Sequence, residues 1–563
     1  MSDMVEIIFG LLGGLAVFIY GMNLMSESLQ KVAGEKMKKI LGLLTRNRVM
    51  GVLAGALVTM VLQSSSATTV MAIGFVSAGL MSLPQAISII FGANIGTTIT
   101  AQIIAFKITD YIYVFVFIGF IISFIFKNEK IKYVGRTIFA FGLLFMGIEI
   151  MGDVMKPLAS SPVFTNMIAK VADVPVLGVA VGTLMTLVAQ SSSATIAVLQ
   201  NFASQAGADG VTSILGLTGA IPILLGDNIG TTITALIASV GQSKDAKRTA
   251  IAHSIFNISG AILFLFILKP YAALIQYISP KGVEVEIISR QIANAHTIFN
   301  ITMTLVWIGF LGFMVKLVKK LVPDGKSGLV NPATPIYLDT NVIAQPAAAL
   351  RLAAKEVIHC SDIVKTMLAD VTNAVKGKNS SEMQMVKENG EALESLHTEI
   401  NDYLVDLFSA GVLTEQQATE TAHLMYVQSD VWHMGKLSVE MADAMLDKID
   451  KKYVYSDEAL NDLERSLRYI QKMYGESMTA LVNEDSEALE KILKHKDKVL
   501  DLDIEMRKSH MQRVNKGQCK KKLSGPFTRI LHCIDRMGNS CVNLAEVALN
   551  QMHFGYFIGE EAD

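Results

Sequence analysis

The sequence predicts an all-α polytopic membrane protein built from two inverted repeats with re-entrant or broken helices, followed by a soluble domain of two three-helix bundles. Three observations lead there. Charges are sparse up to about Lys316 and dense after Leu350, so the chain-wide 51% hydrophobic and 18% charged conceals an apolar half and a Glu/Lys-rich half. A polar string, Gln63-Ser64-Ser65-Ser66-Ala67-Thr68, returns between apolar flanks as Gln190-Ser191-Ser192-Ser193-Ala194-Thr195. A second string, Gly92-Ala93-Asn94-Ile95-Gly96-Thr97-Thr98, returns as Gly226-Asp227-Asn228-Ile229-Gly230-Thr231-Thr232. Each repeat therefore carries two polar, glycine-interrupted places where a membrane helix should be dry.

Aligning the first pair at an offset of 127 also brings Gly55 onto Gly182, Thr59 onto Thr186, Leu62 onto Ala189 and Val70 onto Ala197, which marks a duplicated unit larger than the motif. Backbone groups freed in hydrocarbon cost several kcal/mol each unless protein or a water-filled cavity satisfies them. Ser, Thr, Asn and Gln can do so. Small polar residues also pack membrane helices together, and one isolated Ser-Ser-Ser cluster would read equally as glue or as a site. Two duplicated blocks in matching positions favour a midplane site, where half-helix N-termini face an anion and hydroxyls and carbonyls hold Na⁺.

Taken in order, residues 7–25 run without a charge and are long enough to span. Acids and no Lys or Arg precede them, unlike a cleaved leader, and the N-terminus is expected outside. Residues 31–48 mix six Lys and Arg with Val32, Met37, Ile40, Leu41, Leu43 and Leu44, an amphipathic interfacial segment on the cytoplasmic side. From Met50 the chain runs in to Gln63, turns and returns through Val70 to Leu83 as a re-entrant hairpin. The string at Gly92 is expected to break the next helix. Residues 111–126 then lead to a basic loop with Lys127, Lys130, Lys132 and Arg136. The second repeat follows the same plan, with a span to Met155, a hairpin from Val176 and a helix opening at Asn228, capped by Asp227. Spans over 249–268 and 292–315 complete the membrane part. Its expected limits are 1–322, with repeat 1 at about 4–126, repeat 2 at about 137–241 and two further helices over 249–318.

Sixteen Lys and Arg fall in the loops that this plan places inside, against six outside, as the positive-inside rule requires. The repeats then begin on opposite sides and are inverted, an arrangement suited to alternating access. His253 with Asn257 and His296 with Asn300 form a small repeat, Ala-His-x-x-Phe-Asn, whose spacing puts both polar groups on one helix face. They read as interhelical hydrogen-bond partners bracing the last two helices. Glu149 and Asp153 share a face and read either as an outer vestibule or as interfacial residues.

Residues 323–346 are rich in Pro, Gly, Ser, Asn and Thr, including Pro332-Ala333-Thr334-Pro335, and form a linker. Beyond it, residues 347–563 show helical periodicity broken near 376–380, Gly411, Tyr455, Asn483 and Ser524-Gly525-Pro526, which gives six helices. Met434-Gly435, Ala442-Asp443 and Leu446 align with Met537-Gly538, Ala545-Glu546 and Leu549 at an offset of 103, so the domain is itself duplicated. A net charge of −2 without a long basic block argues against nucleic acid. Cys360, Cys519, Cys533 and Cys541 lack a Cys-x-x-Cys spacing and read as buried thiols in a reducing compartment, not as a zinc site.

The paired Gln-Ser-Ser-Ser and Gly-x-Asn-Ile-Gly-Thr-Thr blocks resemble the sodium/phosphate cotransporter family, which includes the animal type II phosphate transporters and many bacterial members, over roughly the first 320 residues. Asp227, where the first repeat has Ala93, departs from strict duplication and offers a cation ligand or proton site. The C-terminal half resembles PhoU domains through Asp535-Arg536-Met537-Gly538-Asn539-Ser540-Cys541-Val542-Asn543-Leu544-Ala545-Glu546. Members of that family can bind metal on acidic helix faces. Here Asn539, Asn543 and Lys436 favour solvated or packed faces, and no metal is assigned.

The resemblance implies a sodium-coupled symporter of inorganic phosphate in the plasma membrane (the inner membrane of a bacterium), with a cytoplasmic PhoU-like regulatory domain. No covalent chemistry and no cofactor are expected, only Na⁺ as coupling ion. The expected partners are phosphate, Na⁺ and lipid, with a cytoplasmic regulator or a second copy of the chain bound through the PhoU-like domain. Phosphate carries between one and two negative charges, and neither pair of blocks contains Arg or Lys. Helix N-termini and hydroxyls would therefore bind the anion while mobile cations neutralise it. Gln63, Ser64, Ser65, Ser66, Gln190, Ser191, Ser192 and Ser193 are the candidate phosphate ligands. Thr68, Asn94, Thr97, Thr98, Thr195, Asp227, Asn228, Thr231 and Thr232 are the candidate sodium ligands. Ser26, outside the blocks, is expected to be indifferent to phosphate. The physics alone would admit sulfate or an organic anion, and a phosphate-responsive sensor or a phosphate exporter are the rival functions.

Overall fold

The computed structural model describes residues 3–42, 47–77, 79–106, 111–159, 173–207, 209–323, 333–375, 380–411, 413–451, 455–483 and 488–549. Their regular structure is helical, without a β-strand among the described residues. The chain divides into two units, Met1–Gly325 and Lys326–Asp563.

In the first unit the chain forms α1 (Asp3–Gly42), α2 (Arg48–Leu62), α3 (Ser65–Ser77), α4 (Leu83–Gly96), α5 (Thr98–Ile104), α6 (Ile112–Ile125) and α7 (Glu129–Ala159). It continues as α8 (Pro175–Ala189), α9 (Ser192–Ala203), α10 (Gly216–Ala238), α11 (Lys244–Phe266), α12 (Leu268–Ile278), α13 (Glu284–Gly309) and α14 (Leu311–Leu321). Among the described residues five helices are long and apolar enough to cross a membrane, within α1, α4–α5, α7, α10 and α11. By contrast α2 and α8 have 15 residues each. At 1.5 Å per residue that is about 22 Å, less than the roughly 30 Å of hydrocarbon. Each is followed, after a two-residue turn, by an equally short arm, α3 or α9, as the hairpin reading expects.

The inverted repeats show in how α1 meets α7. A Cβ on Gly10 would fall on Val154, one on Gly14 on Met151 and one on Gly21 on Leu144, so the two helices run antiparallel with glycines at their seam. Within each repeat the hairpin's first arm is sealed to the next long helix through bare backbone. A Cβ on Gly92 would collide with the Val52 carbonyl and one on Gly55 with that of Ile89. The equivalent pair, Gly226 and Gly182, meets Val179 and Ile223 in the same way. Small residues at such spacing let membrane helices approach closely.

Those glycines correct one expectation. The second polar string does not break the helix in the second repeat, because α10 runs uninterrupted from Gly216 to Ala238, and in the first repeat only Thr97 separates α4 from α5. The glycines serve contact. The polar side chains turn back on their own helix, Asn228 Nδ2 to Leu224 O at 3.0 Å, Thr231 Oγ1 to Asp227 O at 2.9 Å and Thr232 Oγ1 to Ile229 O at 2.8 Å. Asp227 is therefore mid-helix and caps nothing.

Three boundaries also move. Lys130, Lys132 and Arg136 lie in the first turns of α7 and not in a loop. The span expected over 292–315 ends at Gly309, where α14 bends away by 82°. That bend lets Leu311, Met314 and Val318 bury one face while Lys319 and Lys320 close the last turn. The helix begun at Asp3 continues through the expected interfacial segment to Gly42, and the side chains of 34–46 lie outside the described residues. Lys107 and Lys170 also lie outside them.

The second unit holds α15 (Pro346–Ala374), α16 (Ser380–Ser409), α17 (Glu415–Asp450), α18 (Asp457–Asn483), α19 (Ala488–Asn515) and α20 (Ser524–Leu549). Its duplication has a local two-fold axis. Equivalent residues His433 and Arg536 meet at 2.9 Å. On either side, Asn543 reaches Asp430 and Cys533 reaches Glu440, which exchange under the 103-residue offset. Burial, with Arg536 second, holds His433 below the usual histidine range, and burial with Glu440 pushes the Cys533 thiol up to about 12. These positions pack bundle against bundle, and among the described residues no group of three His, Cys, Asp or Glu is arranged to hold a metal.

The backbone contacts make a direct expectation. Gly226→Ala should lower the melting temperature of the purified protein, by an overpacking cost of about 1–3 kcal/mol. Gly13→Ala, whose Cβ would meet nothing within 4 Å, should leave it unchanged. Equal melting of the two variants would show that the α8–α10 seam tolerates a side chain.

Candidate functional site

Both hairpins turn on a glutamine. Gln63 has φ 51° and ψ 25°, and Gln190 has φ 51° and ψ 23°; among the described residues no other non-glycine residue has positive φ. A left-handed residue with a Cβ costs about 1–3 kcal/mol and persists only where its surroundings hold it. Here the side-chain amide of each donates back to the carbonyl three residues earlier, Met60 at 2.5 Å and Leu187 at 2.6 Å. The next serine starts the second arm, since Ser64 Oγ accepts from Ala67 N and Ser191 Oγ from Ala194 N, both at 3.2 Å. The arms are pinned across the turn by Thr59–Thr68 at 2.8 Å and Thr186–Thr195 at 2.9 Å.

The two turns come together around one cavity of about 280 Å³. All eight candidate phosphate ligands line it, with Leu62 and Ala189 behind them and Ile19, Met22, Asn23 and Ser26 of α1 beside them. No lining residue is basic. Its lining side chains offer hydroxyls and carboxamides, and it lies at the N-terminal ends of α3 and α9, the place where helices hold anions.

The repeated motifs do not reach α1, whose Ser26 is expected to stand outside the site. Its hydroxyl lines the cavity and donates to Leu62 O at 2.5 Å, so it is no neutral bystander. The available signal was a polar pair, Asn23 and Ser26, in the first span, within Gly21-Met22-Asn23-Leu24-Met25-Ser26-Glu27, which aligns with Gly147-Ile148-Glu149-Ile150-Met151-Gly152-Asp153. Of the acids there, Glu149 is outside the cavity lining, and Asp153 forms an exposed pair with Lys156 at 2.8 Å.

All nine candidate sodium ligands are buried. Asn94 Oδ1 meets His253 Nε2 at 3.3 Å and Asn228 Oδ1 meets His296 Nε2 at 3.1 Å. The histidines thus tie α11 to α4 and α13 to α10, where they were expected to brace the last two helices. Thr68 and Thr195 are spent on the arm-to-arm bonds, and Thr98 bonds Ile95 O. Asp227, 0% exposed, accepts from Thr186 Oγ1 at 2.6 Å. Its other oxygen has no partner among the described residues, and neither have the buried side-chain oxygens of Asn257, Asn300, Gln200 and Gln291. Unmatched acceptors in a dry interior are better suited to a cation than to an anion.

A model of the Na⁺/Pi-cotransporter family matches the first unit twice, over residues 17–153 and 147–280, and the PhoU-domain model matches the second twice, over 357–445 and 463–548. The chain belongs to the Na⁺/Pi-cotransporter family. It is similar to the uncharacterized protein YqeW of Bacillus subtilis (strain 168), 31% identical over 306 residues that make up 54% of this chain and 95% of that protein. It is also similar, at 21% identity over 96% of this chain and 97% of the relative, to YjbB of Escherichia coli (strain K12), named as a candidate inorganic phosphate export protein. A shorter stretch is 39% identical over 99 residues to sodium-dependent phosphate transport protein 2A of Rattus norvegicus, covering 17% of this chain and 15% of that protein. No solved structure matches. This member of the cotransporter family is a membrane protein of a phosphate-transporting group with a PhoU domain, and the two relatives named for a function are named for phosphate transport.

The two arm-to-arm bonds are unequal. Thr59→Val removes one neutral hydrogen bond, a loss of about 1 kcal/mol, whereas Thr186→Val also strips the buried Asp227 carboxyl of its donor, a loss of up to about 3 kcal/mol. Thermal melts should therefore rank Thr186→Val below Thr59→Val. The reverse order would show that Thr186 contributes nothing to holding Asp227.

Proposed function

We propose that the chain is a sodium-coupled symporter of inorganic phosphate working by alternating access, with the anion held between the two Gln-Ser-Ser-Ser turns. The observation that carries this reading is the single cavity shared by the turns of both repeats and lined by no basic side chain. An anion taken there must be neutralised by ions that travel with it, since an isolated charge in low dielectric is costly. The surplus of buried acceptors, with Asp227 foremost, supplies places for Na⁺. In this reading residues 1–322 transport, 323–346 link and 347–563 form a cytoplasmic PhoU-like regulatory domain. The charge bias of the loops supports an outside N-terminus in a plasma membrane. Phosphate export is a second reading, favoured by the name of YjbB, which aligns over nearly its whole length.

Phosphate uptake into proteoliposomes should require an inward Na⁺ gradient, and equal uptake with K⁺ or choline would remove the coupling. A chain truncated after Val322 should keep its flux. Its loss in a folded truncation would favour the sensor. Ser65→Ala and Ser192→Ala should each weaken phosphate binding by about 10- to 150-fold, the value of about 1.5–3 kcal/mol for a hydrogen bond to a charged group. Ser123→Ala, on α6 and outside the cavity, is the control that Ser26→Ala cannot be. Binding like the control in both motif variants would make the turns packing elements only.

Asp227→Asn keeps the shape of the buried group and removes its charge. Half-saturation by Na⁺ should rise severalfold with similar folded yield, and an unchanged Na⁺ dependence would limit Asp227 to its bond with Thr186.

A further inference from the structure

Apart from the Thr186–Asp227 bond and the interruption at Thr97, the two repeats agree closely in their internal contacts. The turning glutamines, their bonds to the preceding carbonyls, the arm-to-arm threonine pairs and the Asn–His contacts all match within 0.2 Å or a few degrees. They part at the threonine that closes the second string, Thr100 in the first repeat and Thr234 in the second. Thr100 Oγ1 donates to Gln63 Oε1 of its own repeat at 3.0 Å. Thr234 Oγ1 instead bonds Thr231 O of its own helix at 2.9 Å and shares a hydrogen bond with Ser66 Oγ of the other repeat at 3.1 Å. The acceptors follow suit, since Gln63 is 6% exposed and Gln190 lies open.

We propose that Thr100 and Thr234 are positioning residues that exchange roles in transport, so that in the opposite-facing state Thr234 holds Gln190 Oε1 and Thr100 holds Ser193 Oγ. Gln63 and Gln190, Ser66 and Ser193, and Thr100 and Thr234 are the same residues in the same places of each repeat. One sequence thus already occupies both environments, and each half is compatible with the environment of the other. The exchange gives up two own-repeat hydrogen bonds, Thr100 to Gln63 and Thr234 to Thr231 O, and the cross-repeat one, and regains the counterpart of each, with Thr100 on Thr97 O. On this account the number of hydrogen bonds is the same in both states, which leaves both open to being populated. The switch reaches the anion because Gln63, Ser66, Gln190 and Ser193 all line the cavity. Thr100 and Thr234 do not line it and act through them.

The inference rests on the proposed transport, and its test separates the two. Double-mutant cycles on the turnover of phosphate uptake at saturating phosphate and Na⁺ would pair Thr234→Val with Gln190→Leu, residues not bonded to each other here, and Thr100→Val with Gln63→Leu, which are. Each Thr→Val should slow turnover about fivefold, the value of about 1 kcal/mol, and Thr→Ser should restore most of it. Both cycles should be non-multiplicative, with Thr234→Val adding little once Gln190→Leu is present. A multiplicative Thr234–Gln190 cycle beside a coupled Thr100–Gln63 cycle would mean a fixed lock and end the exchange. A Thr234→Val variant that only raises half-saturation by Na⁺ would make Thr234 a cation ligand and also overturn it. If the wild-type chain moves no phosphate, the transport reading falls and the exchange with it.

Discussion

Two helix turns meeting inside an apolar body must leave no backbone group without a partner, and the rest of the membrane unit follows from how that constraint is met. Each turn is made by a glutamine in a left-handed conformation that covers its own helix end, a serine that caps the next helix and a threonine pair that holds the arms at one spacing. The serines and glutamines of both turns then line the cavity, which lies at the N-terminal ends of α3 and α9. In the proposed reading, a site made this way would hold an anion without a basic residue. Under the proposed transport, neutralising the charge would fall to mobile cations, and the neighbouring interior keeps unmatched oxygens.

Much of this was legible because duplication is a strong signal. The polar blocks placed the turns, and their repetition placed them together before any contact was known. What was misread was the glycine. The string Gly226-x-x-x-Gly230 reads as a helix break, whereas its glycines let α10 press against α8, and spacing alone does not separate a break from a seam. The sequence also did not disclose Asn23 and Ser26 as part of the cavity, because which face of a membrane helix turns inward depends on partners far along the chain. Thr100 and Thr234 were passed over for a related reason. Their importance lies in an asymmetry of contacts, and identical residues give no sign of it in one dimension.

The second unit repeats the lesson in soluble form. Its six helices and duplicated bundles were readable from periodicity, and the described breaks fall near Gly411, Tyr455 and Asn483 as expected. The meeting of His433 with its own counterpart Arg536 was not readable, since an offset in sequence says nothing of an axis in space. Where acids might have gathered around an ion, this chain packs a thiol on Glu440 and a carboxamide on Asp430.

The backbone-to-backbone seams of α2 with α4 and α8 with α10 have a consequence for how such a molecule can deform. A contact between main chains has no side-chain rotamers to yield, so each seam behaves as a weld. Hairpin and long helix must travel as one stiff block, and compliance is confined to joints made of side chains: the threonine hydroxyls, the Asn–His contacts and the edge of α1. Those joints, and not the welds, are where drift in sequence could retune speed without dismantling the machine.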